Sequence, residues 1–140
     1  MSNKLLLFIF TLLFVGCSWK TEAIVHNPSK NTHFKKFACA QNVLHYYTDL
    51  KKRAYKDMYA MELPSFRYFY DYPLYKGYYS GFKKFDTIDI VDVTKLDDNI
   101  YRVAVKFYKK DHPLFTIKEK WIQMDGKCYH YLYDPFIFNK

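Results

Sequence analysis

The chain has 140 residues, with 22 lysines and arginines against 14 aspartates and glutamates, a net charge of +8 and 21% aromatic side chains. That length supports a single domain with a modest core. Arg53, Arg67 and Arg102 are the only arginines, so the chain lacks the arginine-rich stripe that tracks a nucleic-acid backbone, and nucleic acid is not an expected partner.

At the N-terminus Lys4 leads into the apolar run Leu5 to Val15, which ends at Gly16-Cys17. A charged start, a short apolar stretch and a small residue at the cut make the layout of a signal peptide. The run falls short of the ~20 apolar residues a spanning helix needs. Phe14-Val15-Gly16-Cys17 resembles the lipobox of bacterial lipoproteins, with Phe14 where that family prefers Leu. The resemblance implies removal of residues 1–16 and acylation of Cys17 with palmitate-type chains. It also implies residence in the cell envelope, lipid-anchored and facing the periplasm. Ser18 after the cysteine is similar to outer-membrane sorting signals. The competing reading is a plain secretory signal with a chance cysteine. Two or more acyl chains, at about 0.8 kcal/mol per buried methylene, hold a protein to a bilayer effectively permanently. Cleavage removes only Lys4 among the charges and leaves +7. A surface so charged attracts anionic lipid headgroups, lipopolysaccharide or acidic polymers; the alternative source of the lysines is drift in an AT-rich genome.

With Cys17 assigned to lipid, Cys39 and Cys128 remain as an even pair in an oxidising compartment, open to a disulfide. The alternative is two buried thiols acting as small hydrophobes. Residues 17–31, with Asn27-Pro28-Ser29-Lys30-Asn31 and no apolar period, read as a flexible tether. A single domain over 32–140 follows. From Phe37 to Met61 apolar residues recur at helical spacing, Val43, Tyr47, Leu50, Ala54 and Met58 tracing one face, which predicts a long helix bent near Lys52-Arg53 and ended by Pro64. An aromatic stretch, Phe66 to Pro73, precedes a short second helix over Leu74 to Phe82.

The period then changes to that of strands. Thr87 to Val93, Ile100 to Tyr108 and Phe115 to Met124 are rich in β-branched and aromatic residues. Asp125-Gly126 predicts a two-residue type I′ turn, because both residues tolerate positive φ. The turn pairs Met124 with Lys127, Gln123 with Cys128, Ile122 with Tyr129, Trp121 with His130 and Glu119 with Leu132. The fold class is α+β: a long N-terminal helix and a short helix packed in a curved, three- to four-stranded antiparallel sheet. Val43 to Glu62, followed by the hairpin Lys120 to Tyr131, resembles the nuclear-transport-factor-2-like superfamily, a cone of curved sheet around a long helix. The resemblance implies the cone and no particular chemistry, since that superfamily includes isomerases, hydrolases, secretion-system scaffolds and binding modules.

The register puts Glu119, Trp121, Gln123, Cys128 and His130 on one face. If concave, that face makes Glu119 and His130 the candidate acid/base pair. The competing readings place them on the solvent face, or His130 in the core against Trp121. His26 falls in the tether, His33 at the start of the domain and His112 in a turn. His45 has only Asp49 at helical spacing, a solvated contact more than a metal site. With no HExxH, CxxC, glycine-rich phosphate loop or GxSxG, neither metal nor cofactor is expected. The expected function is a membrane-anchored, non-enzymatic binding or scaffold module whose partner is another envelope protein, a lipid or a glycan. The alternative is a small-pocket enzyme using the concave face.

Overall fold

The computed structural model describes residues 24–29 and 37–132. Cys17, the signal segment and His33 lie outside them. The described residues form four helices and then four strands, an α+β order.

Helix α1 spans Ala40–Lys52 and buries Val43, Leu44, Tyr46, Tyr47 and Leu50. Helix α2 spans Tyr55–Ala60 and buries Tyr55 and Met58. The expected single helix over residues 37–61 is therefore two. The break lies at Arg53, whose φ of 59° is left-handed. There the Arg53 and Ala54 amides donate to the Leu50 and Asp49 carbonyls at 3.0 and 2.8 Å, the Schellman pattern that closes a helix end. Glycine usually occupies that position, and its absence left the apolar period running unbroken through the turn.

Helix α3, Pro64–Phe69, starts on its proline and buries Phe66, where the sequence suggested only an aromatic stretch. Helix α4 spans Tyr72–Ser80. Asp71 caps it, Oδ1 accepting the Leu74 amide at 3.1 Å.

Strands β1 (Thr87–Asp97), β2 (Ile100–Lys109), β3 (His112–Met124) and β4 (Lys127–Tyr131) form one antiparallel sheet in the order β1-β2-β3-β4. Asp125 and Gly126 have φ of 53° and 73°, as a type I′ turn requires, and the β3–β4 register runs from Met124↔Lys127 to Lys120↔Tyr131. The β2–β3 connection is tighter than the expected loop. Lys110 and Asp111 both take positive φ, 47° and 64°, and His112 already belongs to β3. Strand β1 runs on to Asp97, with irregular register between Ile90 and Asp92; its exposed second half interrupts the apolar alternation that marks its start.

Ile88, Ile90, Val103, Val105, Phe107 and Trp121 line the sheet face that joins the helices in one core, while Arg102, Lys118 and Lys120 are exposed. Short extended segments cover parts of both sheet edges. Val25 bridges Ile88 of β1, and Glu62 bridges His130 of β4. The stretch expected as a tether therefore does not run free throughout. Ile24 is buried, and the ring of His26 stacks on Tyr108 at 3.8 Å. Cys39, just before α1, and Cys128 on β4 are joined by a disulfide.

Candidate functional site

Glu119 and His130 meet, with a third partner that sequence reasoning missed. On β3, Glu119 and Trp121 are two residues apart and share the inner face, and Trp121 pairs across the strands with His130. Between α2 and α3 the chain runs extended into Pro64. The His130 amide donates to the Met61 carbonyl and the Leu63 amide to the His130 carbonyl, both at 2.9 Å. This bridge sets Glu62 beside His130.

His130 Nδ1 lies 2.8 and 2.9 Å from the two oxygens of Glu62, and Nε2 lies 2.9 Å from Glu119 Oε2. The imidazole is thus gripped at both nitrogens by carboxylates. Exposures of 0% for Glu62, 2% for His130 and 9% for Glu119 place the group in the interior. A buried carboxylate needs donors to replace water. Trp121 Nε1 donates to Glu119 Oε1 at 2.8 Å, and the Tyr47 hydroxyl donates to Glu119 Oε2. The Tyr75 hydroxyl donates to Glu62 Oε1 at 2.8 Å. Tyr46 Oη lies 2.6 Å from both Glu62 Oε1 and Tyr79 Oη. Having one proton, it serves one of them at a time. Helix α1 supplies adjacent Tyr46 and Tyr47, and α4 supplies Tyr75 and Tyr79, one turn apart.

Burial by itself pulls the His130 imidazolium down. The charges of Glu62 and then Glu119, with their hydrogen bonds, outweigh it and push the group up to about 10. Burial first, and neighbouring carboxylates next, hold Tyr46 and Tyr47 well above the ordinary phenol range. Those hydroxyls stay protonated as donors. The ring of His130 stacks on Tyr46 at 4.4 Å and meets Trp121 edge-on at 5.3 Å.

This arrangement serves hydrogen bonding better than turnover. The acceptor oxygens of Glu62 and Glu119 already face internal donors, which leaves a substrate to compete with fixed groups. The two carboxylates grip opposite edges of one ring instead of converging on a point, and among the described residues no group of three or more His, Cys, Asp or Glu could hold a metal ion. Gln123 and Cys128 share this face but stand apart from the cluster, Cys128 in its disulfide. His45 Nε2 is 3.4 Å from Asp49 Oδ2 on α1, and His112 is exposed.

Clefts open elsewhere among the described residues. One of about 340 Å³ lies by the β3–β4 turn, between Asn42, Met61 and Tyr129. Another, about 470 Å³, lies between the end of α1, the α4–β1 connection and the end of β2. Tyr79 lines the larger one, while Glu62, Glu119 and His130 line neither. Among the described residues no helix is long and apolar enough to cross a membrane.

No protein-family model and no curated protein sequence matches the chain. Among solved structures, a SEC-C motif containing protein from Psychrobacter arcticus is similar with a TM-score of 0.50 at 14% identity, over 68% of this chain and 58% of that one. Another SEC-C motif containing protein, from Rhodopseudomonas palustris, gives 0.49 at 11% identity, over 66% of this chain and 74% of that one. At 14% identity the likeness to the Psychrobacter arcticus protein is one of fold alone.

Proposed function

We propose that the chain is a membrane-anchored lipoprotein of the bacterial envelope, whose domain is a cone of the nuclear-transport-factor-2-like kind acting as a non-enzymatic binding or scaffold module. The anchor is an acylated Cys17 facing the periplasm, more on the outer than the inner membrane. The partner is another envelope protein, a lipid or a glycan, and not nucleic acid. One observation carries the non-enzymatic reading. The acid/base pair Glu119 and His130 is buried with Glu62 among tyrosine and tryptophan donors, so its hydrogen-bonding capacity goes into holding the core. The lipobox-like Phe14-Val15-Gly16-Cys17 supports the anchor.

Fractionation tests the anchor: Cys17→Ala is expected to leave the membrane pellet with its fold unchanged. Retention of that variant in the pellet after a high-salt wash contradicts the lipoprotein reading. For the module, Glu119→Gln is expected to preserve whatever phenotype separates wild-type cells from deletion cells. A deletion phenotype reproduced by a Glu119→Gln protein that is folded, anchored and bound to its neighbours would transfer the function to a pocket enzyme.

A further inference from the structure

The larger cleft gathers charge in a way the buried network does not explain. Its floor includes Tyr55, Tyr79 and Phe85, all buried. Its rim carries Lys51, Arg53, Lys83, Lys84 and Lys109, all exposed, against the single carboxylate of Asp86. Asp86 Oδ2 accepts the Lys110 amide at 2.9 Å. Lys51 Nζ spends one donor on the Asp86 carbonyl at 2.8 Å. Among the described residues Arg53, Lys83, Lys84 and Lys109 make no ion pair.

The cations come from segments far apart in sequence: the end of α1, the α4–β1 connection and the end of β2. Compositional drift toward lysine would scatter them. Folding instead brings the five together with Asp86 as the one carboxylate among the lining residues, against their mutual repulsion. A concave wall with a large excess of one sign over a low-dielectric floor focuses the field and concentrates anions. Phosphate matches the rim best among common anions, since its oxygens take several charge-assisted hydrogen bonds from lysine and arginine at once. The aromatic floor offers a surface for the organic part of such a ligand. A volume near 470 Å³ suits a small molecule or a single headgroup, within the roughly 300–1,000 Å³ common for ligand sites.

We propose that this cleft binds a phosphate-bearing ligand, with the phosphate on the rim of Lys51, Arg53, Lys83, Lys84 and Lys109 and the organic part over Tyr79 and Phe85. The ligand is a phosphomonoester, either a lipid headgroup or a free phosphorylated compound. The inference rests on the binding-module reading and not on the anchor.

Calorimetric titration of the full chain tests it with glycerol 3-phosphate and with dihexanoylphosphatidic acid, which carries the same phosphate on two short acyl chains. Both are expected to bind. Lys83→Gln with Lys84→Gln, in a connection outside helix and strand, is expected to weaken binding about tenfold or more. Lys118→Gln with Lys120→Gln removes the same charge from exposed sheet positions away from the cleft, and is expected to leave affinity within about twofold. Matching thermal midpoints for the two double variants exclude unfolding as the cause. Tighter binding of the acylated probe assigns the ligand to lipid, and equal affinities assign it to a free compound. No binding of either probe, or equal losses in both double variants, overturns the proposal. If Cys17→Ala still leaves the membrane in that case, the envelope reading stands without this ligand.

Discussion

His130 is the residue on which the interior turns. Its folded value, about 10, lies above the ordinary imidazole value of about 6.5, so the folded chain binds the proton more tightly than the unfolded one. The resulting stabilisation is complete below about pH 6.5, declines as the pH rises, and is lost above about 10. Substituting it tests this more sharply than substituting either acid. His130→Gln removes the cation between two buried carboxylates and is expected to destabilise the fold by about 3–5 kcal/mol in urea denaturation near neutral pH. Glu119→Gln keeps the shape. With its carbonyl turned to Tyr47 and His130, however, its amide NH₂ faces the Trp121 indole N–H, an unsatisfied donor pair that costs about 1–3 kcal/mol. Equal losses for the two variants would mean that charge is not what holds the cluster. The buried donors around Glu119, and not a change of shape, set that cost.

At the scale of elements, the helix face read from spacing carries the core. Met58 is 0% exposed on α2 and Lys52 lies exposed at the end of α1. Met58→Asp is expected to lose several kcal/mol by burying an unpaired charge, and Lys52→Asp to stay within about 0.5 kcal/mol. Similar thermal midpoints for the pair would remove that face. The hairpin was legible because Asp125-Gly126 is chemically suited to positive φ. At Arg53 the spacing showed a bend but not a full helix end, and the tight turn at Lys110-Asp111 gave less signal, because Arg53 and Lys110 are residues with no local preference for the positive φ they adopt. Tyr46 was within reach of the pattern. It stands three residues after Val43 and beside Tyr47, and a slightly wider stripe would have included it. Glu62 carried no local signal at all, since its place depends on a bridge to a strand 68 residues away.

For the whole molecule, the Cys39–Cys128 disulfide spans 89 residues and ties the start of α1 to β4, two positions before His130 on the same strand face. Cys39→Ser with Cys128→Ser is expected to lower stability by up to about 4–5 kcal/mol on the chain-entropy model. A shift in the urea midpoint worth less than about 1 kcal/mol would mean that packing alone closes this interval. Helix and sheet then enclose the Glu62–His130–Glu119 cluster, while exposed cations gather in part around the cleft.

Heteronuclear NMR of the His130 imidazole in the folded chain tests the buried cluster most directly. The account predicts that both ring nitrogens stay protonated at pH 8, with titration only near pH 10 and both N–H protons slow to exchange with water. A ring that titrates near pH 6.5 and exchanges freely would show an accessible acid/base group beside Glu119, and would contradict the claim that this pair belongs to the core.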